Sequence, residues 1–344
     1  MMRIGLPVLT WLVGISVCHA QSAPVQLQNP TAAPVRSSSV NSLDLIQVKA
    51  NQGQPDPNLN PRLDDASQLM QPSPRFEQAP GPLRWIKEGS ATITYLAGGG
   101  DNGFGIIDLE TSLTMQFPFD PCLAPLTVKP FLGIHFWDQP TVGPLNFSLG
   151  LPDRVYDIYV DFGWAPRVAD WFYLDMGLTP GLYTDFDNSR SDQFRFRGRL
   201  VGIFATSEAL QFVAGIAYIN RNETKWLPVV GVVWNPTSET KVQLVFPQPR
   251  ISHRIWNNHA SEGWVYVAGE FGGGTWAVNR YGYLDDSVDY NDWRLNLGLE
   301  LKHCSGIRGF FEVGYVFNRE LLFETYGGKV DVNDTIMLRA GLVF

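Results

Sequence analysis

The segment YNDWRLNLGLELK, residues 290–302, places Trp293, Leu295, Leu297, Leu299 and Leu301 at every second position. Asp292, Arg294, Asn296, Glu300 and Lys302 fill the positions between them. Successive side chains of a strand point to opposite faces, so the segment predicts a strand with one apolar and one ionic face. Strands of a soluble sandwich average about 5–6 residues. A tilted strand needs roughly 9–11 residues to cross a bilayer, which this run supplies.

The pattern recurs from about residue 90 onward. In 106–118, Ile107, Leu109, Thr111, Leu113, Met115 and Phe117 oppose Asp108, Glu110, Ser112, Thr114 and Gln116. In 154–164, Tyr156, Ile158, Val160, Phe162 and Trp164 oppose Asp157, Tyr159 and Asp161. In 193–204, Phe194, Phe196, Leu200 and Phe204 oppose Arg195, Arg197 and Arg199. Aromatic residues stand at both ends of several apolar faces: Tyr156 and Trp164, Phe194 and Phe204, Phe212 and Tyr218, Trp226 and Trp234. Two interfacial girdles of a membrane barrel would place rings there.

Composition agrees. Charged residues are 17% and aromatics 13% of the 344 residues, against about 25% charged in an ordinary soluble domain. Mean hydropathy is near zero, as it is when lipid-facing and inward-facing residues cancel. Beyond the N-terminus no stretch approaches 18 consecutive apolar residues, which excludes membrane helices. The net charge of −8 without basic runs excludes a nucleic-acid binder.

The N-terminus reads as a secretory signal over 1–20. Arg3 gives the charge, 4–17 the apolar run and Cys18-His19-Ala20 the cleavage site. An uncut anchor is the alternative for the apolar run. Val17 stands where a lipidated Cys18 would want a small residue. Removal of 1–20 leaves 25 Lys+Arg against 34 Asp+Glu, a net of −9. Residues 21–88 are rich in Pro, Gln, Asn and Ser and nearly free of aromatics, and read as a disordered periplasmic tether. LDLIQVK (43–49) is the one stretch there that suits a short helix or docking strand.

The barrel is expected over 89–344, antiparallel and up-and-down. Its strands are 91–98, 106–118, 125–137, 154–164, 170–180, 193–204, 209–219, 226–234, 240–247, 250–256, 262–272, 290–302, 307–318 and 334–344. That makes about fourteen, with twelve or sixteen as alternatives. Short connections (119–124, 165–169, 205–208, 235–239, 257–261, 303–306) alternate with the longer 138–153, 181–192, 273–289 and 319–333, the asymmetry of periplasmic turns and outer loops. Residues 275–282 are assigned to a loop.

The end of the chain, TIMLRAGLVF (335–344), resembles the C-terminal strand of bacterial outer-membrane barrels, with a terminal Phe344 and apolar residues at alternate positions. That resemblance implies recognition by the barrel assembly machinery. Region 89–344 is also similar to uncharacterised outer-membrane barrels of planctomycete-type bacteria, whose function is unknown. Val245-Phe246-Pro247-Gln248-Pro249-Arg250-Ile251 is similar to a proline-interrupted strand there. The likeness transfers no catalytic residue.

Catalytic signals are weak. Ser252 and His253 are adjacent on a strand and so point to opposite faces, and no GxSxG elbow occurs. Asp285, Asp286, Asp289 and Asp292 have no calcium-loop spacing and read as a solvated acidic loop. No Cys or His pair has zinc spacing. Cys122 and Cys304 fall in periplasmic turns, either as free thiols or as a bridge across the closure seam.

Inward parity gives ten basic residues (Lys129, Arg195, Arg197, Arg199, Lys241, Arg254, Arg294, Lys302, Arg308, Arg339). It gives nine acidic ones (Asp108, Glu110, Asp157, Asp161, Asp175, Glu270, Asp292, Glu300, Glu312). Asp157, Asp161, Asp175, Arg195, Arg197, Arg199, Arg294, Glu300 and Arg339 are the candidate lumen-lining set, and Phe344 is the candidate assembly signal. About fourteen strands leave room for water or a ligand inside. The expected function is a passive outer-membrane channel for small solutes, without cofactor, metal or catalysis. The alternative is a closed structural or adhesive surface barrel. A lipid hydrolase is disfavoured by the absence of a nucleophile–base pair. Expected partners are outer-membrane lipid and the barrel assembly machinery.

Overall fold

The computed structural model describes residues 85–344 except 101, 118–123, 143–146, 188–190, 259 and 326–327. The readings of 1–20 as a signal and of nearly all of 21–88 as a tether lie outside these residues, as does Cys122. Fourteen antiparallel strands close into a barrel. They are β1 Ile86–Leu96, β2 Ile106–Phe117, β3 Leu126–Trp137, β4 Arg154–Trp164, β5 Phe172–Thr184, β6 Phe194–Ala205 and β7 Leu210–Tyr218. The second half comprises β8 Trp226–Trp234, β9 Thr240–Phe246, β10 Arg250–Asn257, β11 Ser261–Arg280, β12 Leu284–His303, β13 Arg308–Phe323 and β14 Thr335–Val343.

Each strand pairs with its sequence neighbours, and β14 closes on β1 through Ser90↔Val343 to Leu96↔Met337. Gly89 and Phe344 exchange two backbone hydrogen bonds of 2.7 and 2.9 Å at the foot of that seam. A side chain at 89 would meet the Phe344 ring at 2.8 Å, which is why glycine stands there. Closure leaves no unpaired edge at this seam.

The period-two pattern becomes two surfaces. Leu109, Ile158, Leu200, Leu295, Leu297 and Leu338 are exposed on the outside. Asp108, Asp161, Arg199, Arg294, Glu300 and Arg339 are buried on the inside. Exposed aromatics ring the outside at two levels. Trp164, Trp171, Trp234 and Trp256 lie near the short turns, with Phe194, Trp226 and Tyr315 near the outer ends. This exterior matches hydrocarbon, not water.

Five strands run well past their expected limits, and the first of them, β1, begins at Ile86, so that residues 86–88 of the expected tether belong to the barrel wall. β5 continues to Thr184, and β13 to Phe323, where Lys329–Val332 pairs with it. β11 and β12 have 20 residues each and pair without a break from Ser261↔His303 to Arg280↔Leu284. The loop assignment of 275–282, and most of the outer loop 273–289, is thereby corrected. Twenty residues of strand span roughly 65 Å, far more than the membrane wall requires.

The excess turns inward along one line. Gly273 of β11 has φ +89°, and a Cβ there would overlap Tyr290 O. The β12–β13 register shifts between Asn291 and Trp293, and Asn318 of β13 has φ +50°. Because Gly273 pairs with Asn291, these irregularities lie side by side on three neighbouring strands. Beyond the line, β11, β12, β13 and Lys329–Val332 form a flap that crosses the lumen. Its edge reaches β5, where Ala277 pairs in parallel with Thr184.

Candidate functional site: an ion-paired lumen under an inturned flap

The flap keeps the alternation of a strand, so each face has its own chemistry. Trp276, Val278, Val288, Tyr290, Leu321 and Phe323 form one face, and all are buried. They join a single core with Phe131, Val155, Tyr159 and Tyr183 from the inner wall of β3–β5. The opposite face carries Thr275, Ser287 and Asp289 and meets the outer ends of β6–β8. There Arg195 donates to Ser287 Oγ at 2.8 Å, and the Asn222 and Glu223 amides donate to Asp289, each at 3.2 Å.

Polar ties fasten the flap around its rim. Arg280 donates to Leu149 O at 3.0 Å and pairs with Asp286 at 3.1 Å. Arg319 donates to Tyr290 Oη at 2.8 Å, Asn333 O at 2.8 Å and Phe104 O at 2.6 Å. Arg221 donates to Gly272 O at 3.0 Å, Gly273 O at 2.5 Å and Asn291 Oδ1 at 2.5 Å. The expected solvated acidic loop is corrected here: Asp286, Asp289 and Asp292 are fully buried. An isolated buried carboxylate is costly, and each of these is held by an arginine or by directed N–H and O–H donors.

Below the flap the inward charges stand in compact groups. Arg199 pairs with Asp161 at 3.1 Å and with Asp175 at 3.2 Å. Its guanidinium lies across Gly163 and Gly177, where any side chain would press on it. Arg294 joins Asp292 at 2.8 Å and Glu270 at 3.2 Å. Glu270 also holds Arg339 at 3.2 Å, and Arg339 reaches Thr94 Oγ1 at 2.8 Å and Glu312 at 3.6 Å. Glu300 pairs with Arg250 at 2.6 Å and Lys302 at 3.8 Å.

All nine candidate residues are buried on the inner face of the wall, and they differ in their partners. Arg195 is drawn to the flap and the β7–β8 loop. Arg197 stacks 3.8 Å over the Tyr183 ring. Asp157 accepts from Trp276 Nε1 and lies 3.6 Å from His135, whose other ring nitrogen is 2.7 Å from Asp108. Sequence parity missed Arg221, Arg280, Asp286 and Asp289 as structural groups, because they fell in assigned loops. Continuation of the alternation through Trp276-Val278-Arg280 was the available signal.

A cavity of about 30 Å³ lies where flap meets wall, lined by Asp108, His135, Asp157, Trp276, Tyr290 and Arg294. It suits about one water. Ser252 is buried and donates to Lys241 O, whereas His253 is exposed and contacts Thr240 at 3.0 Å. These two do not form a nucleophile–base pair. Among the described residues no cluster of His, Cys, Asp or Glu could hold a metal.

A closed barrel, an apolar girdled exterior and a polar interior together define a transmembrane β-barrel of an outer membrane. No family model matches the chain, and no curated protein does. Solved structures similar to it include the KdgM porin, at 10% identity over 74% of this chain and 98% of that one, TM-score 0.32. LpxR from Salmonella typhimurium is similar at 7% identity over 75% and 99%, TM-score 0.35. The translocator domain of the autotransporter NalP from Neisseria meningitidis is similar at 9% identity over 75% and 87%, TM-score 0.36.

Proposed function

We propose that this outer-membrane barrel is a closed surface barrel that passes no solute while its flap is seated. The supporting observation is the apolar face of the flap packed on the inner wall of β3–β5. Swinging it out would expose six large apolar side chains. At about 1.5–3 kcal/mol each, that is on the order of 10 kcal/mol, and spontaneous opening is rare. Planar-bilayer recording tests this. The full chain should be silent, and a variant whose residues 274–289 are replaced by a two-residue turn should conduct in steps. Porin-sized conductance from the unaltered chain would overturn the reading.

A passive channel for small solutes is the second reading, favoured by a fourteen-strand diameter that leaves room for a lumen. Under it the flap swings out about Gly273, and Asp157, Asp161, Asp175, Arg195, Arg197, Arg199, Arg294, Glu300 and Arg339 line the path. Replacing the three arginines of β6 with alanine then shifts selectivity towards cations. Either reading has outer-membrane lipid around the band and the barrel assembly machinery engaging β14 and Phe344, with no cofactor and no catalysis. Kinship with the planctomycete-type barrels belongs to the same proposal.

A further inference from the structure

One part of the wall is closed without a hydrogen-bond ladder. β9 and β10 are the shortest strands of the barrel, and their turn at 247–249 lies well below the outer rim. The β8–β9 register ends at Val230↔Phe246, and the β10–β11 register ends at Arg250↔Ala268. Above these pairs Trp226–Val229 has no ladder partner on the β9 side. From 269 upward β11 has none on the β10 side, apart from one Gly269 N–H to Pro249 O bond of 2.8 Å.

Here β11 leans inward, and its outer face meets the inner face of β7–β8. Phe271 and Trp293, which carry lipid-facing parity, join one apolar cluster with Val213, Ala217, Leu227 and Val229. Phe246 stands 6.2 Å from Trp293 at the lip, and Trp293 is 5.1 Å from Phe271. Elsewhere below the flap the inner wall carries ion pairs, so an apolar inner strip on β6–β8 is not needed for a salt-bridged interior. Pro228, Pro247 and Pro249 border the notch, and none of them has an N–H that would be left bare in hydrocarbon. Outward-facing Val230, Leu244 and Val267 continue this surface into the lipid band.

We propose that this seam is a lateral site for one acyl chain of an outer-leaflet lipid, which enters between β8 and β11 above the β9–β10 turn and lies on the inner strip. Parting these two apolar faces breaks no hydrogen-bond ladder. The polar ties of Arg221, Asn222 and Glu223 hold the top of the seam while its middle yields. The site is independent of whether the lumen conducts solutes.

The full chain in vesicles of phosphatidylethanolamine carrying a diazirine on one acyl chain tests this, with adducts mapped by mass spectrometry. Adducts are expected on Val229 and Phe271 as well as on Val230, Leu244 and Val267. Val229→Trp, which fills the strip, should abolish the inner adducts and keep the outer ones. Adducts confined to the outer three residues would overturn the proposal, as would inner adducts that survive V229W. Should V229W fail to fold, Phe271→Trp in dibrominated phosphatidylcholine decides. Its added emission should be quenched as strongly as that of Val267→Trp, and an unquenched F271W beside a quenched V267W rules the site out.

Discussion

Replacing Arg199 with alanine tests whether the interior excludes water at mid-barrel. The guanidinium is 4% exposed and bridges Asp161 and Asp175, whose side chains are 8% and 2% exposed. Removing the cation leaves two buried carboxylates, of which Asp161 keeps the hydroxyl of Thr179 at 2.6 Å. Breaking a buried pair by removing one partner costs about 3–5 kcal/mol, because the remaining charge is uncompensated. Urea-driven unfolding from phospholipid vesicles, followed by tryptophan emission, should show a loss in that range. The companion variant Arg199→Met, Asp161→Asn, Asp175→Asn removes all three charges and should recover most of it, since an apolar replacement of a buried ion pair is often neutral or better. A loss below about 1 kcal/mol for R199A alone is the size of an exposed pair. It would mean that water fills the lumen at this depth, and the closed reading would fall with it.

Gly177→Ala should mimic part of that loss with no change of charge, because a Cβ at 177 overlaps the Arg199 guanidinium and pushes it off its carboxylates; the same unfolding assay reads it. Gly273→Ala should cost about 1–3 kcal/mol and loosen the flap, since φ +89° and the overlap with Tyr290 O both oppose a side chain; unchanged stability would mean that the flap does not bend there. Asp289→Ala removes the acceptor for Thr275, Asn222 and Glu223 and should turn a silent barrel into one with brief openings in bilayer recordings. Cys304, exposed in the turn between β12 and β13, should react with an impermeant maleimide only after the outer membrane is breached. Labelling of intact cells in a variant lacking the other two cysteines would invert the orientation.

Period-two alternation made the wall legible. Residues 154–164 and 226–234 form strands with those same bounds, because lipid outside and polar groups inside act on each strand separately. The flap was not legible for the same reason. Gly272-Gly273-Gly274 reads locally as the end of a strand, and Asp285, Asp286, Asp289 and Asp292 read as solvated. A polar residue facing water and one facing a buried arginine look alike along the chain. Parity assigned Asp157 and Arg199 to the inner face, but partner choice depends on register. Gly177 lies opposite Arg199, so its carboxylates are Asp161 and Asp175, while Asp157 sits higher and meets Trp276 and His135.

The short β9–β10 hairpin gives the flap its physical cause. β10 begins at Arg250 opposite Ala268, so β11 loses its neighbour twelve residues before it ends at Arg280. Left upright at the membrane edge, that stretch would present unpaired N–H and C=O groups, an arrangement lipid does not tolerate and water leaves open to pairing with other chains. Turning inward at Gly273 solves this. Asp185 N–H bonds Ala277 O at 3.2 Å, the Asn279 amide donates to Asp185 Oδ2 at 2.6 Å, and Arg221 takes the Gly272 and Gly273 carbonyls. The edge of one long hairpin is thus bonded inside the barrel, and the place it left in the wall is the ladderless seam between β8 and β11.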